Sequence, residues 1–214
     1  MLITYHGHAQ FLLETADGYR ILTDPYNAET GYPMQKVKAD AVTMSHGHAD
    51  HTEVSKVQGN PLLLRELGPH TLPHGIRVQG YQSFHDDKQG TLRGLNTCFV
   101  IEADGLKIAH LGDIGALPDD TLARALRGVD VMMLPVGGHY TIDAQQAAQI
   151  VQDSGARIAI PMHYRNDKGG YEVIATVDGF TRLMPAPSHQ PLLRVTKGDL
   201  SEQPRCVVLE IQAE

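Results

Sequence analysis

Short apolar runs broken by turn residues dominate the first half of the chain, the pattern of strands rather than of long helices. Residues 2–5, 11–14 and 19–23 are three such runs, with Ala16-Asp17-Gly18 as a tight turn between the last two. Connections this short predict an antiparallel meander. Asp24-Pro25 closes the third run, because proline cannot donate to a ladder, and a polar loop leads to a fourth run at 41–44. Residues 76–84, 96–101 and 106–111 continue the strand pattern, with Ala103-Asp104-Gly105 as the hairpin turn between the last two.

After Asp113 helix and strand alternate. The spacing predicts a helix over 117–127, with Asp119 and Asp120 at its start, Leu122, Ala125 and Leu126 on its apolar side and Gly128 as its stop. Residues 129–135 read as a buried strand. Asp143-Ala144-Gln145-Gln146 has the form of a capping box, ahead of an Ala147, Ile150, Val151 stripe that ends at Gly155. A further strand at 158–161 delivers Met162-His163-Tyr164, and 206–211 is a last β-like run. Strands first and mixed units later predict an α/β (α+β) fold of two sheets packed face to face with helices outside. The Pro-rich stretch at 185–191 is too short to divide the chain, so residues 1–214 are expected to form a single domain.

Composition narrows the function more than the fold. With 214 residues, a chain of this size builds its core without disulfide staples. A net charge of −7 and no basic run argue against a nucleic-acid partner, which would need Lys and Arg on one face. No apolar stretch approaches a membrane span, and the N-terminus lacks the pattern of a signal peptide, so a cytoplasmic protein with no membrane partner is expected. Cys98 and Cys206, the 2 cysteines, lie in β-like runs and are expected to be buried free thiols. Histidine stands out, at 12 residues.

Its densest cluster is His46-x-His48-x-Asp50-His51, on a loop that leaves the strand at 41–44. Residues two apart in an extended segment point to one side, so His46 and His48 can grip one ion while Asp50 and His51, after a turn, face a second. Imidazole and carboxylate suit zinc, iron, manganese or nickel, and the absence of a nearby cysteine argues against a closed structural zinc site. A two-metal site needs more ligands, including a carboxylate that reaches both ions. His85, Asp113 and His163 each sit at the end of an expected strand.

Taken with His110-Leu111-Gly112-Asp113 and Pro161-Met162-His163-Tyr164, these residues resemble the metallo-β-lactamase superfamily, in the same order and with compatible spacing. Gly7-His8-Ala9, Thr23-Asp24-Pro25 and the segment 135–143 look like the metal-dependent hydrolases related to L-ascorbate-6-phosphate lactonase and, more distantly, to N-acyl-phosphatidylethanolamine phospholipase D. The resemblance covers residues 1 to about 165. It implies a four-layer αββα sandwich with the site at one edge. It assigns His46, His48 and His85 to one metal, Asp50, His51 and His163 to another, and Asp113 as the bridge. Asp24 would support the metal loop without binding metal. The cysteine ligand of some lactamases is missing, which argues against β-lactam hydrolysis.

Other candidates weigh differently. His8 reads either as an exposed turn histidine or as a wall of the site touching substrate or metal-bound water. Asn96 could donate to an oxyanion or merely end a loop. Tyr140 and His139, after Gly137-Gly138, read either as substrate contacts or as plain loop-tip residues, and His110 reads as a satisfied core histidine.

The expected function is hydrolysis of an ester, lactone or phosphodiester bond in a small-molecule substrate by a metal-bridging hydroxide, with Asp50 as catalytic residue. Two divalent ions are expected, zinc first, with Mn2+, Ni2+ or Fe2+ as alternatives. A mononuclear iron oxygenase of the same fold and a non-catalytic metal-binding module are the rival expectations. Hydrolases of this size often assemble as symmetric homo-oligomers.

Overall fold

The structure, a computed structural model, describes residues 1–212. The meander expected at the N-terminus is formed by β1 (Leu2–Gly7), β2 (Gln10–Glu14) and β3 (Arg20–Thr23). Next in the chain come β4 (Val37–Lys38), β5 (Ala41–Thr43), β6 (Val57–Gln58), β7 (Leu62–Leu64) and β8 (Gly68–Thr71). The long hairpin region holds β9 (Arg77–Phe84), β10 (Leu95–Ala103) and β11 (Leu106–His110). The alternating part runs α1 (Asp120–Leu126), β12 (Val131–Pro135), α2 (Ala144–Ser154), β13 (Ile158–Met162) and α3 (Asp178–Thr181). The chain closes with β14 (Ser188–Gln190), β15 (Leu193–Arg194) and β16 (Arg205–Leu209).

Apart from the β4–β6 pair, these strands make two mixed sheets, ordered β15-β1-β2-β3-β5-β7 and β14-β16-β13-β12-β11-β10-β9-β8. Alternation along the strands explains how both faces of the first sheet are used. Ile21 and Ala41 point into the main core between the sheets, while Leu22 and Val42 on the same strands join Val37, Ala39 and Met44 in a smaller outer cluster. That outer face is covered by the β4–β6 ladder and its flanking loops, whereas α1, α2 and α3 lie toward the second sheet. The capping box of α2 forms as expected: Gln146 N–H donates to Asp143 Oδ1 at 2.9 Å and Asp143 N–H to Gln146 Oε1 at 3.1 Å. α1 is shorter than predicted because Asp119 caps it, accepting from Leu122 N–H at 2.8 Å.

Strand polarity puts the candidate residues at one edge. β1 and β3 both pair antiparallel with β2 and therefore run the same way, and β3 pairs parallel with β5. The turn after β1 (His8), the end of β3 (Asp24) and the loop after β5 (residues 45–51) thus share an end of the first sheet. In the second sheet β9 and β11 both run antiparallel to β10, and β11, β12 and β13 are mutually parallel. His85, Asp113 and His163 accordingly emerge together. Two backbone bonds stitch these edges: Thr97 N–H to Ser45 O at 2.7 Å and His163 N–H to His8 O at 2.8 Å.

The segment beyond 165, outside the family resemblance, completes both sheets. β15 adds to β1, and β16 adds parallel to β13. Among the described residues no helix is long and apolar enough to cross a membrane.

Candidate metal centre

The expected ligand residues converge. His46 Nε2 lies 3.0 Å from His48 Nδ1, and His85 completes this group of donors. Asp113 Oδ2 lies 3.4 Å from His85 Nε2, 3.2 Å from His51 Nε2 and 3.1 Å from His163 Nε2. One carboxylate oxygen therefore touches imidazoles of both expected sets. Asp50 Oδ2 is 3.8 Å from His51 Nε2 and 3.2 Å from His8 Nε2.

Hydrogen bonds fix which nitrogens face inward. Ser45 donates its hydroxyl proton to Asp24 Oδ2 at 2.6 Å, so its oxygen is left to accept from His46 Nδ1 at 2.9 Å. His51 donates from Nδ1 to the same Asp24 oxygen at 2.9 Å. Both rings then turn Nε2 toward the cluster. A second layer of this kind raises ligand basicity and holds ring orientation. Asp24 thus sits behind two imidazoles and does not reach the centre itself.

Asn96 belongs to the same supporting layer. It is buried; its amide donates to Ser83 Oγ at 2.7 Å and Leu111 O at 2.9 Å, and its carbonyl accepts from Asp113 N–H at 2.9 Å. No donor remains for an oxyanion, so Asn96 orients Asp113. Gly112 makes this possible, because at φ +55° a Cβ there would lie 2.4 Å from both Asn96 Oδ1 and Ser45 Cβ. Strained backbone recurs here: His8, Asp24 and His163 adopt φ of +53°, +37° and +51°. Such non-glycine residues persist only where surrounding structure over-determines them.

Electrostatics follow from crowding charge without water. Burial disfavours the ionised forms of Asp113 and His51. Attraction outweighs it, from His163 and then His51 at Asp113 and from Asp113 and then Asp24 at His51, holding the Asp113 carboxyl well below its usual range and His51 well above its own. Burial, with His163 beside it, lowers His8 to about 4. Burial and the nearby His51 lower His46 to about 3.

Two observations show that a metal ion fits. Donor atoms 3.0–3.4 Å apart match the roughly 3.3–3.4 Å edge of a tetrahedron with bonds of about 2.0–2.1 Å. Asp113 Oδ1 is buried with no hydrogen-bond partner among the described residues, an arrangement that costs free energy unless something cationic satisfies it.

The other candidates sort clearly. His8 is fully buried beside His51 and His163, excluding the exposed-turn reading. His110 is the core histidine expected, donating from Nε2 to Ala9 O at 2.9 Å. Tyr140 reaches the centre only through a neighbour, its ring 5.8 Å from that of Tyr171 and under the Arg93 guanidinium at 5.5 Å. His139 is exposed. Tyr171 is the residue that sequence reasoning missed: its hydroxyl donates to Asp50 Oδ2 at 2.9 Å. The glycine pair Gly169-Gly170 just before it, like Gly137-Gly138 before His139, was the available signal.

A sequence model of the beta-lactamase superfamily domain matches residues 2–163. The chain belongs to the metallo-β-lactamase superfamily. A UPF0173 metal-dependent hydrolase of Geobacillus thermodenitrificans is 32% identical over 195 residues, covering 77% of this chain and 85% of that protein. One from Thermoplasma acidophilum is 32% identical over 214 residues, covering 86% and 94%. A solved Thermotoga maritima structure, described as a zinc-dependent hydrolase of this metallo-β-lactamase superfamily, superposes with TM-score 0.81 at 32% identity over 97% of this chain and 98% of that one. The superfamily fold seen in these relatives is the two-sheet architecture described above, and the match ends at His163, the last of the clustered imidazoles.

Proposed function

We propose that the protein is a dinuclear metal-dependent hydrolase that cleaves an ester, lactone or phosphodiester bond in a small-molecule substrate. The observation that carries this reading is the position of Asp113 Oδ2, within 3.4 Å of His85 on one side and of His51 and His163 on the other. His46, His48 and His85 would hold one ion, Asp50, His51 and His163 the other, with Asp113 between. When bound, such ions lower the pKa of water toward about 7 and polarise a carbonyl or phosphoryl oxygen.

The chain's own contribution lies in holding and moving protons. Asp113 is shielded from solvent, with 3% of its side chain exposed, whereas Asp50 has 16% exposed. Asp50 is therefore the carboxylate that an attacking water meets, and it accepts that water's proton as the oxygen bonds to carbon or phosphorus and passes it to the leaving oxygen as that bond breaks. Tyr171 holds Asp50 Oδ2, so the acceptor is pre-oriented before substrate arrives. Asp24, Ser45 and Asn96 keep the inward-facing nitrogens and Asp113 in place.

A mononuclear iron oxygenase would leave the buried group of His8, His51 and His163 without a task, and that group disfavours it. The test combines metal analysis with turnover. Wild-type protein stripped and reloaded with zinc, manganese, nickel or iron(II) is expected to bind two ions per chain and to hydrolyse members of an ester, lactone and phosphodiester panel. Asp113→Ala is expected to lose one ion and most turnover. Full activity of Asp113→Ala with two ions retained would overturn the assignment. Silence of the doubly loaded wild type across the panel would favour a metal-binding module, and one iron with oxygen uptake would favour the oxygenase.

A further inference from the structure

Resting on the dinuclear reading, we infer that His8 is itself a metal ligand, a fifth protein donor at the position shared by His51, His163, Asp50 and Asp113. His8 Nε2 lies 3.1 Å from His51 Nε2 and 3.2 Å from Asp50 Oδ2, and the donor nitrogens of His8, His51 and His163 all lie within 4.8 Å of one another. The His8 ring packs against both imidazoles, with centroids 4.8 Å and 4.3 Å away. A residue that served only as a wall for substrate would present an edge to solvent, and His8 has 0% exposure.

The backbone explains why the ring is aimed inward. His8 follows β1 at φ +53°, and its carbonyl accepts from Tyr5 OH at 3.0 Å and from His163 N–H at 2.8 Å. The two histidines are thus tied to each other through the chain as well as through the centre. His51 Nδ1 is committed to Asp24, so its Nε2 faces the His8 nitrogen and is the atom left to meet an ion. Facing imidazole nitrogens beside two carboxylates are the arrangement that a cation between them satisfies.

The consequence is asymmetry between the two positions. His46, His48, His85 and Asp113 offer four donors, a set suited to tetrahedral zinc. His8, His51, His163, Asp50 and Asp113 offer five, a set suited to five- or six-coordinate ions such as Mn2+, Fe2+ or Ni2+. The five-donor position is expected to bind its ion more tightly and to keep it longest under a chelator.

Cobalt(II) reads this directly, because its visible absorption strengthens as coordination falls from five or six to four. Wild-type and His8→Gly proteins, stripped and titrated with Co2+, are compared by calorimetry, metal analysis and visible spectra. Glycine suits φ +53°, so the variant removes the ring without backbone strain. His8→Asn, also tolerant of left-handed backbone, replaces it if circular dichroism shows His8→Gly unfolded. The expected result is two ions in wild type, about a 10–100-fold or greater loss of affinity for one of them in the variant, a stronger absorption band from that ion, and recovery with added imidazole. Two ions bound with wild-type affinity and an unchanged spectrum in the folded variant would overturn the ligand role and leave the dinuclear reading intact. One ion per wild-type chain would overturn both.

Discussion

Asp24 accepts hydrogen bonds at 2.9 Å from His51 and at 2.6 Å from Ser45, whose oxygen in turn accepts from His46. A single carboxylate at the end of β3 therefore sets the tautomer of two imidazoles, although it touches no ion position. Replacing it with asparagine removes the negative charge and allows His51 to flip its protonated nitrogen toward the centre. Asp24→Asn is expected to weaken metal binding by about 10–100-fold, measured by competition with a chromophoric chelator. Affinity equal to wild type would show that the rings orient without it.

Tyr171 donates its one side-chain hydrogen bond among the described residues to Asp50. Its hydroxyl bond to a charged carboxylate is worth about 1.5–3 kcal/mol, so Tyr171→Phe is expected to lower kcat by roughly 10–100-fold with both ions retained. Metal content and KM are followed alongside kcat. Loss of an ion in this variant would instead place Tyr171 in support of the metal site.

Gly112 leaves no room for a side chain. A methyl group there would meet Asn96 and Ser45 at 2.4 Å, and the backbone is left-handed besides. Gly112→Ala is expected to cost about 1–3 kcal/mol of stability by overpacking, read from chemical denaturation of the chelated protein, and to loosen metal retention because Asp113 and Ser45 are pushed apart. An unchanged midpoint would mean that the turn shifts without resistance.

Burial pushes both thiols up to about 12, at Cys98 and at Cys206, from an ordinary 9.0. A raised folded pKa favours the neutral form in the native state, so this contribution is intact below pH 9.0 and is lost as pH rises from there toward about 12. At pH 8 neither thiol is expected to react with a disulfide reagent until the protein is denatured, when both should react. Rapid modification of the native protein would contradict the burial.

Much of the centre was legible in the sequence because local spacing and strand ends carry it. His46, His48, Asp50 and His51 are neighbours on one loop, and His85, Asp113 and His163 announce themselves by following apolar runs. The capping box at Asp143 and the hairpin at Asp104 were equally local. Asn96 stays open between an oxyanion donor and a loop end in the sequence, because its role depends on Leu111, Ser83 and Asp113, which no spacing connects to it. Tyr171 escaped for the same reason, reaching Asp50 across 121 residues of chain.

The sequence by itself determined the ligand types, their order and the alternation that builds two sheets, since these depend on side-chain chemistry and on a period of two along each strand. Tertiary structure alone decided which atoms meet. The parallel relation of β1 to β3 carries His8 from a turn of two readings into the centre, and β15 and β16 close the sheets from a segment with no motif. Those outcomes depend on strand pairing over long separations, where the free energy lies in contacts between distant residues and not in the pattern of any one stretch.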